Sequence, residues 1–228
     1  MTRSLPLILL SGMGADERVF RLQREQFPDL ILPGWSAPQP GDDLPGYARR
    51  MAQRVDPGEP CFVGGLSLGG MIAVEMARHL DCRGCFLIAS VRSPHELPWR
   101  ARVMKPAALL LPPGSGGVPP LAARAALFLG GRFLSPVSRN LLQQLADADA
   151  RFLRWASMAL LRWKPHNDGL TVPIRQIHGD RDRVLPHTLT TPDRLVPGGG
   201  HVLPMTHAKE VNEFLRDGIA ELAGRQSG

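Results

Sequence analysis

Apolar residues fall along this chain in two alternating textures, short unbroken runs and longer stretches with an apolar stripe. The run Leu7–Leu10 is what a strand buried on both faces of a parallel sheet looks like. Leu30 to Leu32 is a short second candidate. Phe62 and Val63 begin a third, and Cys85–Ala89, Ile174–His178 and Arg194–Pro197 follow. Between these runs the spacing turns helical. Asp16 is placed to cap a helix carrying Val19, Phe20, Gln23 and Phe27. Tyr47–Val55 predicts another, stopped by Asp56-Pro57-Gly58. From Met71 to Leu80 apolar residues cover most of the circumference, which marks a helix buried nearly all round. The last helix is the clearest. Val211, Phe214, Leu215, Gly218, Ile219 and Leu222 make one stripe, with Lys209, Glu210, Glu213, Arg216 and Asp217 opposite. Strands alternating with helices predict an α/β fold with a mostly parallel, doubly wound sheet.

From Pro94 to about Asn167 the alternation stops. Helical stretches dominate and no strand-like run occurs. Ser135-Pro136 suits the N-cap and first position of one helix. Arg151–Trp163 predicts another, with Phe152, Trp155, Ala159 and Leu160 on one face. Pro112–Pro120 has the composition of a hinge. The expected organisation is therefore a core of residues 1–93 and 168–228, with residues 94–167 as a helical insertion; the alternative is simply more packed helices. Trp99, Phe128, Trp155 and Trp163 either line a pocket or fill the insertion's own core; core is the favoured reading.

Composition narrows the picture. The chain has 228 residues, a formal charge of +6, and only three lysines (Lys105, Lys164, Lys209) among 27 basic residues. The arginines are scattered among acids and apolar residues, which predicts a solvated surface rather than a nucleic-acid face. Three cysteines, Cys61, Cys82 and Cys85, are too few and too odd in number for a disulfide framework and suit a reducing compartment. Cys82-x-x-Cys85 lacks a second pair or a histidine cluster, so no metal and no cofactor are expected. The N-terminal apolar run is too short to span a membrane and lacks a leader's cleavage site. A cytoplasmic protein acting on a small molecule, with no nucleic-acid or membrane partner, is the expectation. Oligomeric state is not legible.

Ligands of such a sheet collect beyond the carboxyl ends of its strands. Four loops there carry reactive or glycine-rich sequence: Ser11–Ala15, Gly65–Gly70, Gly179–Asp182 and Gly198–His201. In Gly65-Leu66-Ser67-Leu68-Gly69 the glycines let a tight turn hold the serine hydroxyl at a helix N-terminus, where developing negative charge is favoured. A serine nucleophile needs a base, and the base needs a carboxylate to orient it. Ser67, His201 and Asp182 can supply these roles. Asp180 is a second candidate acid, although its simpler role is to bond its own turn. His207 is a second candidate base, and His79, His178 and His187 are read as structural or solvated.

This constellation resembles the α/β-hydrolase family over nearly the whole chain. The residues that carry the likeness are Gly65-x-Ser67-x-Gly69 after a strand, the order Ser…Asp…His, the aspartate in His178-Gly179-Asp180-Arg181-Asp182, and Gly200-His201 before the final helix. The resemblance implies Ser67 as nucleophile, His201 as base, Asp182 as orienting acid, and an oxyanion hole from the backbone N–H groups of Leu68 and Met13. It implies as well that residues 94–167 form a helical cap. Two departures stand out: Ser11-Gly12 replaces the usual His-Gly, and only 19 positions separate Asp182 from His201, so Pro186–Pro192 must be a short connection. The expected chemistry is cleavage of a small carboxylic ester, thioester or lactone through an acyl-enzyme. Rival readings are a cofactor-free lyase or carbon–carbon bond hydrolase on the same residues, and a receptor-like binder with little turnover.

Overall fold

The computed structural model describes residues 5–99, 118–130, 134–164 and 170–224. Five parallel strands pair in chain order: β1 (Leu7–Leu10), β2 (Cys61–Leu66), β3 (Cys82–Ile88), β4 (Ile174–Gly179) and β5 (Arg194–Val196). Ile31 adds an isolated parallel bridge to Ile8 on the other edge of β1. It donates to Leu7 O at 2.9 Å and accepts from Leu9 N at 3.0 Å. The expected second strand is thus reduced to one bridged residue. The bridge still fixes the topology. The chain steps outward from β1 to Ile31, then crosses back to lay β2 on β1's opposite side. A reversal of this kind opens a crevice at the strands' carboxyl ends.

Alternation within each strand builds two cores. Ile8, Leu10, Val63, Cys85 and Leu87 face helices α1 (Leu44–Val55) and α2 (Leu68–Met76). Leu7, Leu9, Phe62, Phe86 and Ile88 face the final helix, α6 (Ala208–Gly224). The stripe read from the sequence is the buried face of α6, with Val211, Phe214, Leu215, Gly218 and Leu222 inside. Helix α1 begins earlier than its apolar spacing suggests. The Asp43 carboxylate caps Gly46 N and Pro45 sits in the first turn, so the helix starts at Leu44 rather than at Tyr47. Helix α2 likewise starts directly after Ser67 and stops at Met76 rather than Leu80.

The described part of the inserted segment carries three α-helices, α3 (Val118–Gly130), α4 (Pro136–Asp147, capped by Ser135) and α5 (Ala150–Arg162). Residues 112–117 of the anticipated hinge lie outside the described residues, and Val118 to Pro120 open α3. An aromatic cluster fastens α5 to the core. Trp35 stacks on Phe152 at 4.8 Å between centroids, and Tyr47 meets Trp155 at 4.2 Å. Trp163, buried, donates from Nε1 to the buried Glu75 carboxylate of α2 at 2.7 Å. The four cap aromatics therefore divide. Trp155 and Trp163 pack inward, whereas Trp99 and Phe128 are 69% and 90% exposed and belong to no core among the described residues. Among the described residues no helix is long and apolar enough to cross a membrane.

Candidate active site

The site grows out of three backbone crossings at the carboxyl edge of the sheet. At the end of β2 the chain turns into α2 through Ser67, whose φ of 53° and ψ of −120° lie where non-glycine residues are strained. The turn is possible because its flanking glycines bring backbones into contact. A Cβ on Gly69 would sit 2.2 Å from Ser11 O, and one on Gly65 would sit 2.5 Å from Gly69 C. Ser67 N donates to Ile88 O at 3.1 Å, and the buried Ser90 hydroxyl donates to Ser67 O at 2.6 Å. The serine is thereby held by β3 as well as β2.

At the end of β1 the Ser11–Ala15 loop lies against this turn; a methyl on Gly12 would stand 3.6 Å from Ser67 Cβ. The departure at Ser11 has a local explanation. Its hydroxyl donates to Ala15 O at 3.0 Å and Ala15 N donates to Gly12 O at 3.1 Å, so the loop closes on itself. The cap adds support. Gln144, buried in α4, accepts from Asp16 N at 2.9 Å. Met13 and Leu68 both line the cavity beside Ser67, and neither backbone N–H is hydrogen-bonded among the described residues.

The third crossing joins β4 to the Gly198–Gly200 turn. A Cβ on Gly179 would fall 2.2 Å from Gly199 O, so only glycine lets the two backbones touch. Arg181 N donates to Gly199 O at 2.9 Å. Asp180 accepts from Gly198 N at 2.7 Å, so it bonds the turn and leaves the imidazole to its neighbour. Asp182 Oδ2 lies 2.8 Å from His201 Nδ1. A carboxylate only accepts, so Nδ1 carries the proton and Nε2 keeps its lone pair. Asp182 Oδ1 accepts from Val184 N at 2.8 Å and Leu185 N at 3.0 Å. The Asp182 side chain is fully buried and that of His201 is 18% exposed. Burial alone raises a carboxyl's pKa. Here hydrogen bonds from His178 and His201, and the attraction of the His201 ring, outweigh it and hold Asp182 well below the usual carboxylate range.

His178 takes a larger part than the sequence suggested. It is fully buried on β4, and its Nε2–H donates to Leu185 O at 2.8 Å and lies 3.5 Å from Asp182 Oδ2. Ser90 falls just past the Cys85–Ala89 run and Gln176 inside the Ile174–His178 run. Gln176 donates to Ser90 O at 2.7 Å. Such residues announce themselves only as polar side chains inside apolar strand runs. His207 sits away from the cavity, bonded to Thr206. Burial pushes the Cys61 and Cys82 thiols up to about 12 and about 11, and holds Cys85 well above its ordinary value, which leaves them as neutral core side chains.

Ser67 and His201 line one cavity of about 500 Å³ together with Met13, Leu68, Leu97 and Leu160. That size takes a small organic ligand. Ser67 Oγ and the imidazole are not hydrogen-bonded here, a contact that commonly tightens only when substrate is present. What the arrangement can do chemically is present a hydroxyl, an oriented imidazole and two backbone donors to a carbonyl.

A family model described as "Alpha/beta hydrolase family" matches residues 7–214. No curated protein matches the sequence. Among solved structures, a thermophilic esterase from Thermogutta terrifontis superposes with a TM-score of 0.73 at 18% identity, over 96% of this chain and 90% of that one. A hydrolase from Pseudomonas aeruginosa PA01 gives 0.74 at 16% identity, over 94% and 89%. An N-acyl homoserine lactonase complexed with N-butanoyl homoserine gives 0.66 at 19% identity, over 96% and 90%. At such identities the likeness establishes the fold.

Proposed function

Because the chain belongs to the alpha/beta hydrolase family, we propose that it is a serine hydrolase that cleaves small carboxylic esters, thioesters or lactones. The observation that carries this reading is the Asp182–His201 pair, joined at 2.8 Å, opening on the same cavity as the strained Ser67 turn. The esterases and the lactonase among the structural neighbours support the same reaction class.

The chemistry follows from the proton positions. Ser67 Oγ attacks the carbonyl carbon while His201 Nε2 takes its proton. The carbonyl electrons move onto oxygen, where the N–H groups of Leu68 and Met13 meet the charge; losing one such donor costs about 3 kcal/mol of barrier. Collapse breaks the C–O bond, and the alcohol leaves with the proton that His201 returns. Water then repeats the sequence on the acyl-enzyme, giving its proton to His201 and releasing the acid. Asp182 stays ionised and stabilises the imidazolium each time.

A fluorophosphonate should label Ser67, located by mass spectrometry of the adduct. Purified protein should release p-nitrophenol from short acyl esters, and Ser67→Ala should lose both reactions while keeping its circular dichroism. An adduct at another residue, or equal turnover by the alanine variant, removes the assignment.

A further inference from the structure

We propose that the natural substrate is an anionic ester, with a carboxylate away from the scissile bond, and that Arg183 is the residue that receives it. The inference rests on the hydrolase reading and adds a substrate class to it. The cavity's described lining is apolar except for Ser67, His201 and Arg183, and it includes no aspartate or glutamate. Arg183 is thus the one permanently charged residue in the described lining.

Its place is set by the site itself. Val184 N and Leu185 N both donate to Asp182 Oδ1, so residues 182–185 form a pinned turn that carries Arg183 on the Asp182 framework. The nearest carboxylate in sequence, Asp182, is committed to those amides and to His201, and its side chain is fully buried. Arg183 itself is exposed and makes no ion pair or hydrogen bond among the described residues. Several other arginines of the described residues are paired. Arg18 pairs with Asp16 and Asp147, Arg92 with Asp193, and Arg194 with Asp217. A guanidinium offers a planar fork that fits a carboxylate at two points. The chain's formal charge of +6 also favours arrival of an anion.

The test uses chain-matched ester pairs on the full-length protein. One pair is 4-nitrophenyl hexanoate and mono-4-nitrophenyl adipate, which places the carboxylate on the acyl side. The other is phenyl hexanoate and 4-carboxyphenyl hexanoate, which places it on the alcohol side. In at least one pair, wild type should favour the anion, and Arg183→Gln should lower the anion-to-neutral ratio of kcat/KM by roughly tenfold, with Arg183→Lys between. Comparing variant with wild type cancels each leaving group's own reactivity. Independently of any variant, 1 M NaCl should reduce the wild-type ratio through screening. Absence of anion preference in both pairs, or a preference that survives in Arg183→Gln and in high salt, overturns the proposal. If Ser67 takes no fluorophosphonate and no ester turns over, the hydrolase reading itself has failed, which is a separate result.

Discussion

Replacing Asp182 by asparagine tests the centre of the site with almost no change in shape. The carboxylate accepts from Val184 N and Leu185 N at one oxygen, and from His201 Nδ1, with His178 Nε2 close by, at the other. An asparagine has one oxygen. Satisfying the two amides puts its NH2 where Oδ2 stood, facing two ring N–H groups. His201 can relieve the clash only by moving its proton to Nε2, the nitrogen that receives the Ser67 proton in the proposed mechanism. Turnover of a p-nitrophenyl ester should fall about 10³- to 10⁴-fold, the loss expected from a wrong tautomer. Stability should fall by about 3 kcal/mol at pH 7, since the bonds lost are to a charged acceptor in the interior. The pH dependence has a definite sign. Asp182's folded pKa is lowered, so its stabilisation is complete above the unfolded value of about 3.9 and drains away as pH falls below it. Urea unfolding at pH 6 and at pH 3 should show the gap between wild type and variant narrowing in acid. Asp180→Asn is the control: its oxygen can still accept from Gly198 N, and activity should stay within about twofold. An Asp182→Asn enzyme keeping more than a tenth of wild-type turnover, or an Asp180→Asn enzyme losing as much, would refute the assignment of the acid.

Two further substitutions probe the supports of the site. His178→Leu removes the donor to Leu185 O and leaves a buried carbonyl unpaired; it should cost about 1–3 kcal/mol and lower kcat roughly tenfold with KM little changed, because the turn carrying Asp182 loosens. His178→Gln, which can still donate, should recover part of the kcat, and an unchanged kcat in His178→Leu would show the ring to be filler. Trp163→Phe takes the indole donor from the buried Glu75 carboxylate; urea unfolding should show a loss of about 1.5–3 kcal/mol, and a loss below 0.5 kcal/mol would mean the bond does little to hold the cap down.

The sheet was legible because a strand buried on both faces must be apolar at every position. Leu7–Leu10 and Cys85–Ile88 carry that requirement openly, and their alternate residues do go to opposite cores. Ile31 shows the limit: three apolar residues supply one bridge, and whether a run becomes a strand depends on a neighbour's backbone rather than on its own pattern. The candidate triad was legible for a different reason. Gly65, Gly69 and Gly179 are needed where backbones touch, and such glycines mark the loops that meet. Ser90, Gln176 and His178 carry no such mark. Ser90 lies just beyond β3, and Gln176 and His178 lie within β4; the first two act through bonds to residues distant in sequence, Ser67 and Ser90, whereas His178 acts on Leu185 in the turn that follows its own strand.

The cap reads least well, and the reason is geometric. A helical stripe states which residues leave water but not what they leave it for. On α5 the predicted face is Phe152, Trp155, Ala159 and Leu160. Phe152 and Trp155 join the cluster with Trp35 and Tyr47, whereas Leu160, on the same stripe, turns to the cavity. The division arises because α5 lies over α1 at one end and over the mouth of the crevice at the other, so one face serves two surroundings. The same helix sets Ser157 Oγ 3.8 Å from Met13 Sδ, and Trp163 just beyond its end reaches Glu75 on α2. One short helix thus touches the Met13 loop, the cavity wall and the helix that begins at Ser67. A change in its seating would alter the Met13 loop, the proposed source of an oxyanion donor, and the pocket together. On the proposed mechanism, substrate selection and catalytic geometry are therefore coupled through α5, and a substitution at Leu160 that reshapes the pocket acts on the element that also contacts Met13.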